Sequence, residues 1–120
     1  MSLLPNAANA TLDDTKITHY LLDPSHPIGR AKASFFLARG FTRANWTVLK
    51  AALLDHPQRN QIASQTANAH GERYVISCPL TTPDNSNPCV VSVWNIQPSD
   101  PYPRFVTAYP NPAGVATPSD

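Results

Sequence analysis

Cysteine is almost missing from this chain, and so is charge. The two cysteines, Cys78 and Cys89, are too few to make a disulfide framework or a zinc site alone. Charged residues are 14% of the 120, against about 25% in ordinary soluble domains. That excludes a highly charged disordered chain and a coiled coil. No apolar run reaches the roughly 20 residues needed to cross a bilayer, and no basic start leads into the apolar stretch of a signal peptide. The expectation is a cytoplasmic chain with reduced thiols and no membrane association. Asn9-Ala10-Thr11 and Asn45-Trp46-Thr47 match the glycosylation pattern but read as incidental without export.

Familiar catalytic signatures are missing as well. There is no Walker-type loop and no G-x-G-x-x-G among the 4 glycines. The carboxylates Asp13, Asp14, Asp23, Asp55, Glu72, Asp84, Asp100 and Asp120 are scattered, mostly at caps and turns. A two-carboxylate glycosidase or a two-metal nuclease needs several of them facing one cleft. No histidine pair stands at a metal-ligand spacing. Neither a metal nor a cofactor is expected.

Proline, by contrast, is abundant: 13 residues, about twice ordinary usage. Hydrophobic residues make up 42%, enough for a core in one domain of this length. The net charge of +1 says nothing about partners, but its distribution does. Between Ile28 and Arg59 stand Arg30, Lys32, Arg39, Arg43, Lys50 and Arg59 against the single Asp55.

The first half has helical patterning. Asp13 or Asp14 can cap a short helix over Thr15–Leu22, with Ile17, Tyr20 and Leu21 on one face and Asp23-Pro24 as the stop. A second helix is predicted from Pro27 to Arg39, ended by Gly40, with Ile28, Ala31, Phe35 and Ala38 as its buried stripe. A third begins at a Thr42 cap and runs to Leu54, with Trp46, Leu49 and Leu53 inward and His56-Pro57 as its end. The segment from 59 to 71 reads as a polar loop. Strands are expected at Arg73–Leu80, Pro88–Ile96 and Arg104–Tyr109. The fold class is therefore α+β, about three N-terminal helices on a C-terminal antiparallel meander of three to four strands. One domain spans 1–110, and 111–120 is a flexible tail.

Strand alternation suggests which side chains face out. One arrangement puts Val91, Val93, Val106 and Ala108 under the helices and leaves Ser92, Trp94, Thr107 and Tyr109 as a hydroxyl-and-aromatic surface suited to a base and a phosphate. The plainer alternative is a second small core covered by loops.

Ser25-His26-Pro27-Ile28-Gly29-Arg30-Ala31-Lys32 is the most informative stretch. If the helix starts at Pro27, His26 sits at its cap. The free N–H groups of Ile28, Gly29 and Arg30 then make an anion site, with Gly29 permitting close approach. Arg30 and Lys32 add charge. Imidazole, with an unperturbed pKa of about 6.5, suits proton transfer at a phosphate. The competing reading is a polar helix cap with solvated cations. His19 reads as a surface or half-buried helix residue, His56 as a helix-end cation, and His70 as part of a turn.

The segment from Tyr20-Leu21-Leu22-Asp23-Pro24 through Ser25-His26-Pro27-Ile28-Gly29-Arg30-Ala31-Lys32, with Phe35-Phe36 and Gly40-Phe41, resembles a recurring bacterial pattern. So does the close, Val106-Thr107-Ala108-Tyr109-Pro110. Together they resemble a family of small stand-alone bacterial proteins known only as a domain of unknown function. The opening is also similar to that of toxin domains in contact-dependent inhibition and polymorphic toxin proteins, within the barnase/EndoU/colicin/RelE-like ribonuclease superfamily. The resemblance implies a metal-independent endoribonuclease toxin that cleaves RNA, with transfer RNA among the candidates, by attack of the 2′-hydroxyl. It implies His26 as general acid or base, Lys32 as charge stabiliser, and Thr107 and Tyr109 completing the catalytic set. Gly29, Arg30, Ser92 and Trp94 would bind substrate. The implied partner is a small cognate antitoxin or immunity protein. A non-catalytic module binding nucleic acid or protein is the alternative.

Overall fold

The computed structural model describes residues 3–27 and 30–111. A short helix α1, Asp14–Lys16, runs into a wider π turn, Ile17–Leu21. Helices α2, Arg30–Ala38, and α3, Trp46–Arg59, follow. Four strands complete the chain: β1, Ile62–Asn68; β2, Gly71–Pro79; β3, Cys89–Ile96; and β4, Arg104–Pro110. They form one antiparallel sheet in the order β1-β2-β3-β4. Helices first and sheet after is the α+β arrangement that the sequence predicts.

The local chemistry explains the first helix. The Asp13 carboxylate accepts from the Thr15 backbone N–H at 2.9 Å, satisfying a donor that the helix start leaves open. The Leu22 N–H then reaches back to the Ile17 carbonyl at 2.9 Å, which widens the last turn. Ile17 and Leu21 are buried, and Tyr20 is left half-exposed at the edge of the core.

Three expectations about the helices need correction. The buried stripe of α2 is Ala33 and Phe36, not Ala31 and Ala38, which are exposed. This rotation matters, because Lys32 precedes Phe36 by one turn and is carried to the edge of the buried face. Ile28 lies outside the described residues. Nor does Pro57 end α3; it is buried inside it, and the helix continues to Arg59. A proline there is normally costly. Here His56, just before it, is fixed in the core: its Nδ1 lies 2.8 Å from Ser92 Oγ and its Nε2 2.6 Å from the Cys78 carbonyl. His56 is therefore a core residue rather than a solvated helix-end cation. Burial holds it below its ordinary pKa, against the opposing effect of the Cys78 and Val90 backbone groups.

The sheet differs from expectation in two ways. Residues predicted as a polar loop form β1, paired with β2 from Asn68↔Gly71 to Ile62↔Ile76. An edge strand needs no apolar face, and the last four residues of β1 are exposed. At the β1–β2 turn Gly71 takes φ +113°, and a Cβ there would fall 2.1 Å from the Ile96 carbonyl oxygen. The face assignment of β3 is also reversed, whereas on β4 Ala108 is buried and Tyr109 exposed as expected. Ser92 and Trp94 point into the core with Val90, beside Ala108 and Phe105 on β4. The pattern misleads because the other row of β3 is buried too, Val91 at 4% and Val93 at 2% exposure. In addition, Val93 opposes Thr107 while Trp94 opposes Phe105, so Val106 is an extra, bulged residue that shifts the phase.

Cys78 and Cys89 are joined in a disulfide across β2 and β3, not left as two reduced thiols. They sit one register step apart across the hairpin, Cys78 opposite Val90 and Pro79 opposite Cys89. Residues 112–120, most of the predicted tail, lie outside the described residues.

Candidate active site

Three separate elements meet at the Lys32 ammonium. The rotation of α2 carries Lys32 toward the sheet, the π turn supplies Tyr20, and the bulge in β4 presents Thr107. Lys32 Nζ donates to Tyr20 Oη at 2.5 Å and to Thr107 Oγ1 at 3.1 Å. It also stands 4.9 Å from the centroid of the Tyr20 ring and 6.0 Å from that of Tyr109, within reach of cation–π attraction. No carboxylate forms an ion pair with Lys32 among the described residues. Its neighbours among the described residues include hydroxyls and ring faces, which solvate the charge without neutralising it.

This grouping lines a cleft of about 520 Å³ bounded by Thr15, Lys16, His19, Tyr20, Lys32, Val106 and Thr107. Lys16 Nζ donates to the carbonyl of the bulged Val106 at 3.0 Å. A second cation is thus fixed on the same wall; it forms no ion pair among the described residues, although the charge of the nearby Asp13 carboxylate acts on it. His19 is exposed, with Nδ1 2.8 Å from Thr18 Oγ1. Burial of Tyr20 raises its phenol pKa. The hydrogen bonds to Lys32 and Thr107 and the charges of Lys32 and Lys16 outweigh it, and the net effect is below the ordinary value of 10.0.

His26 is half-buried and packs its ring edge-on against Tyr20, with centroids 5.0 Å apart and planes at 86°. Lys32 and His26 therefore both contact Tyr20, although His26 is not among the residues lining the cleft. The structure brings together Lys32 and Thr107, with Tyr109 near and His26 one ring away. It does not bring in Ser92 or Trp94. Both have no exposed surface, and the Trp94 Nε1–H donates to Ser92 Oγ at 2.8 Å inside the core. Arg30 is the exposed first residue of α2 and does not line the cleft. Gly29 lies outside the described residues.

Lys16, His19 and Tyr20 were not singled out as site residues from the sequence. A signal exists for two of them: with Thr15, Lys16 and His19 form the polar side of the same short helix whose apolar face is Ile17, Tyr20 and Leu21. Nothing in the pattern, however, says that this polar side faces a strand. Among the described residues no group of three or more His, Cys, Asp or Glu side chains could hold a metal ion, and no helix is long and apolar enough to cross a membrane.

Residues 3–112 match the model of a protein family described as a domain of unknown function, DUF6883, and the chain belongs to that family. None of the curated proteins matches it. Among solved structures, the fold is similar to that of one chain of a contact-dependent growth inhibition toxin–immunity protein complex from Klebsiella pneumoniae 342. The TM-score is 0.68 at 17% identity, covering 88% of this chain and 97% of that one.

Proposed function

We propose that this domain is a metal-independent ribonuclease toxin restrained by a cognate immunity protein. The observation that carries the reading is the Lys32 ammonium, held by Tyr20 and Thr107 in an open cleft with no ion-paired carboxylate among the described residues. A fixed, uncompensated cation suits a phosphodiester and the extra negative charge of its transition state. The likeness of fold to a chain from a toxin–immunity pair supports the biological setting.

The chemistry follows from the side chains at hand. A base removes the proton of the RNA 2′-hydroxyl, and that oxygen attacks the adjacent phosphorus. The bond to the 5′-oxygen breaks, and an acid protonates the leaving oxygen. The products are a 2′,3′-cyclic phosphate and a 5′-hydroxyl end. Imidazole is the side chain suited to both proton transfers at neutral pH. His26, against the Tyr20 ring, and His19, on the cleft wall, serve as the acid–base pair. Lys32 stabilises the non-bridging oxygens, Thr107 and Tyr20 fix its direction, and Tyr109 offers an exposed ring for a base. Gly29 and Arg30, between His26 and Lys32 in the sequence, add a phosphate contact outside the cleft.

The test is cleavage of labelled RNA by the purified domain in EDTA. Cyclic-phosphate ends are expected, and His26→Ala and Lys32→Ala should each lower turnover by about 10²–10⁴-fold with the fold retained. Expression should arrest growth, and co-expression of the cognate immunity protein should relieve it. Cleavage that requires a divalent ion, or a folded His26→Ala protein that cleaves normally, would overturn the mechanism.

A further inference from the structure

Lys16 lines more than the cleft that holds Lys32. The same side chain also lines a second cleft of about 590 Å³, with Thr11, Leu12, Asp13, Arg104 and Phe105. Arg104 begins β4, three residues before Thr107, so the two lie roughly 10 Å apart along the strand. Arg104 is exposed and, like Lys16, forms no ion pair among the described residues. Leu12 and Phe105 are buried and give this cleft an apolar floor. Asp13 is its one acidic wall residue, and its Oδ1 is occupied by the Thr15 N–H at 2.9 Å and the Thr15 hydroxyl at 2.8 Å.

We propose that this second cleft is a phosphate subsite for the nucleotide next to the one cleaved, with Arg104 and Lys16 holding its phosphodiester. The inference rests on the ribonuclease reading and extends it. Lys16 spends one of its three donors on the Val106 carbonyl, leaving two for anions in either cleft. Lys32 and Lys16 line the first cleft and Lys16 and Arg104 the second, so each cleft has cations for a phosphate, as an extended single strand with regularly spaced phosphates requires.

The experiment compares two substrates. One is a dinucleoside monophosphate, which has only the phosphate to be cleaved; the other is an octanucleotide. Arg104→Ala should raise KM for the octanucleotide about tenfold, the size of one charge-assisted contact. It should leave kcat alone and shift KM for the dinucleotide less than twofold. Its plot of log affinity against log salt should flatten by about 0.7, one phosphate contact on a single strand. Arg104→Lys should restore most of the affinity, which separates lost charge from lost fold. Arg59→Ala removes a cation that is ion-paired to Asp55 on α3 and should change neither substrate.

Equal shifts on both substrates, or the same shift with Arg59→Ala, would overturn the subsite. So would an Arg104→Ala protein that loses affinity only for an immunity protein, since the cleft would then belong to that partner. If the wild type cleaves both substrates and Arg104→Ala matches it, the subsite alone falls. If the wild type cleaves neither, the ribonuclease reading falls and takes the subsite with it.

Discussion

The two edges of the sheet are built in opposite ways. The β4 edge is covered by the chain's own beginning. Thr11 bridges Arg104 in parallel, donating to the Pro103 carbonyl at 2.9 Å and accepting from Phe105 at 2.9 Å. Asn6 reaches the Pro101 carbonyl at 3.0 Å, and Lys16 takes the carbonyl of Val106 at 3.0 Å. The β1 edge has no such cover among the described residues. Its seven residues, Ile-Ala-Ser-Gln-Thr-Ala-Asn, hold neither charge nor proline, the usual protections of an exposed strand. The covered edge is the one that carries the candidate site. Around Pro103, Phe105 and Val106 the edge's backbone polar groups are already engaged, which is what pre-organisation of the neighbouring side chains requires.

The contrast is most directly broken at Thr11. Thr11→Pro removes the N–H that holds Pro103 and should cost about 1–3 kcal/mol, the range for a lost backbone bond with a partner left unsatisfied. Thermal unfolding followed by circular dichroism should show a melting temperature lower by several degrees, and RNA cleavage should fall with it. An unchanged protein would mean that the cover contributes nothing to the edge.

The middle of the sheet offers a reference for both edges, because His56 ties β2 to β3. Burial holds its folded pKa below the unfolded value of about 6.5, so below that pH the unfolded chain binds more protons than the folded one. Stability should therefore fall as pH drops below about 6.5, until the depressed folded pKa is reached. His56→Gln, if it folds, should flatten this part of the pH profile of the melting temperature. A wild-type profile that is flat from pH 7 to 5 would contradict the burial.

A smaller effect sharpens the view of the covered side. Ultraviolet titration should find one tyrosine, Tyr20, ionising below the ordinary 10.0, and Lys32→Met should raise it. No change on that substitution would separate Tyr20 from Lys32. The smallest effect belongs to the open edge. Ala67→Lys, opposite Glu72 on β2, should alter stability by less than about 0.5 kcal/mol. It should also reduce any self-association seen by sedimentation at high concentration.

How legible all this was depends on the kind of signal. Helix existence and order could be read because caps and apolar spacing act locally: Asp13 caps α1, and Leu49 and Leu53 line α3 as patterned. Strands β2, β3 and β4 announced themselves by β-branched runs. The misreadings share one cause, tertiary compensation for a local rule. Pro57 stays helical because His56 is anchored from the sheet. Ser92 and Trp94 are buried with their polar groups satisfied, because Trp94 donates to Ser92 and Ser92 also meets His56. β1 is a strand only because β2 offers it partners. In the candidate site, Lys32 and Thr107 meet as the two matched segments implied. Lys16 and His19 did not stand out, since a polar helix side looks the same whether it faces water or a cleft.

Gly71 gives the permissive hairpin a sharply uneven tolerance to change. Along the exposed part of β1 almost any polar residue has room, so a library of substitutions there should survive selection with little bias. At Gly71 the positive φ excludes most side chains, and the Ile96 carbonyl occupies the place of a Cβ. A lineage of such sequences drifting under selection for the fold should thus vary freely through the strand and stay fixed at the single turn residue that closes it.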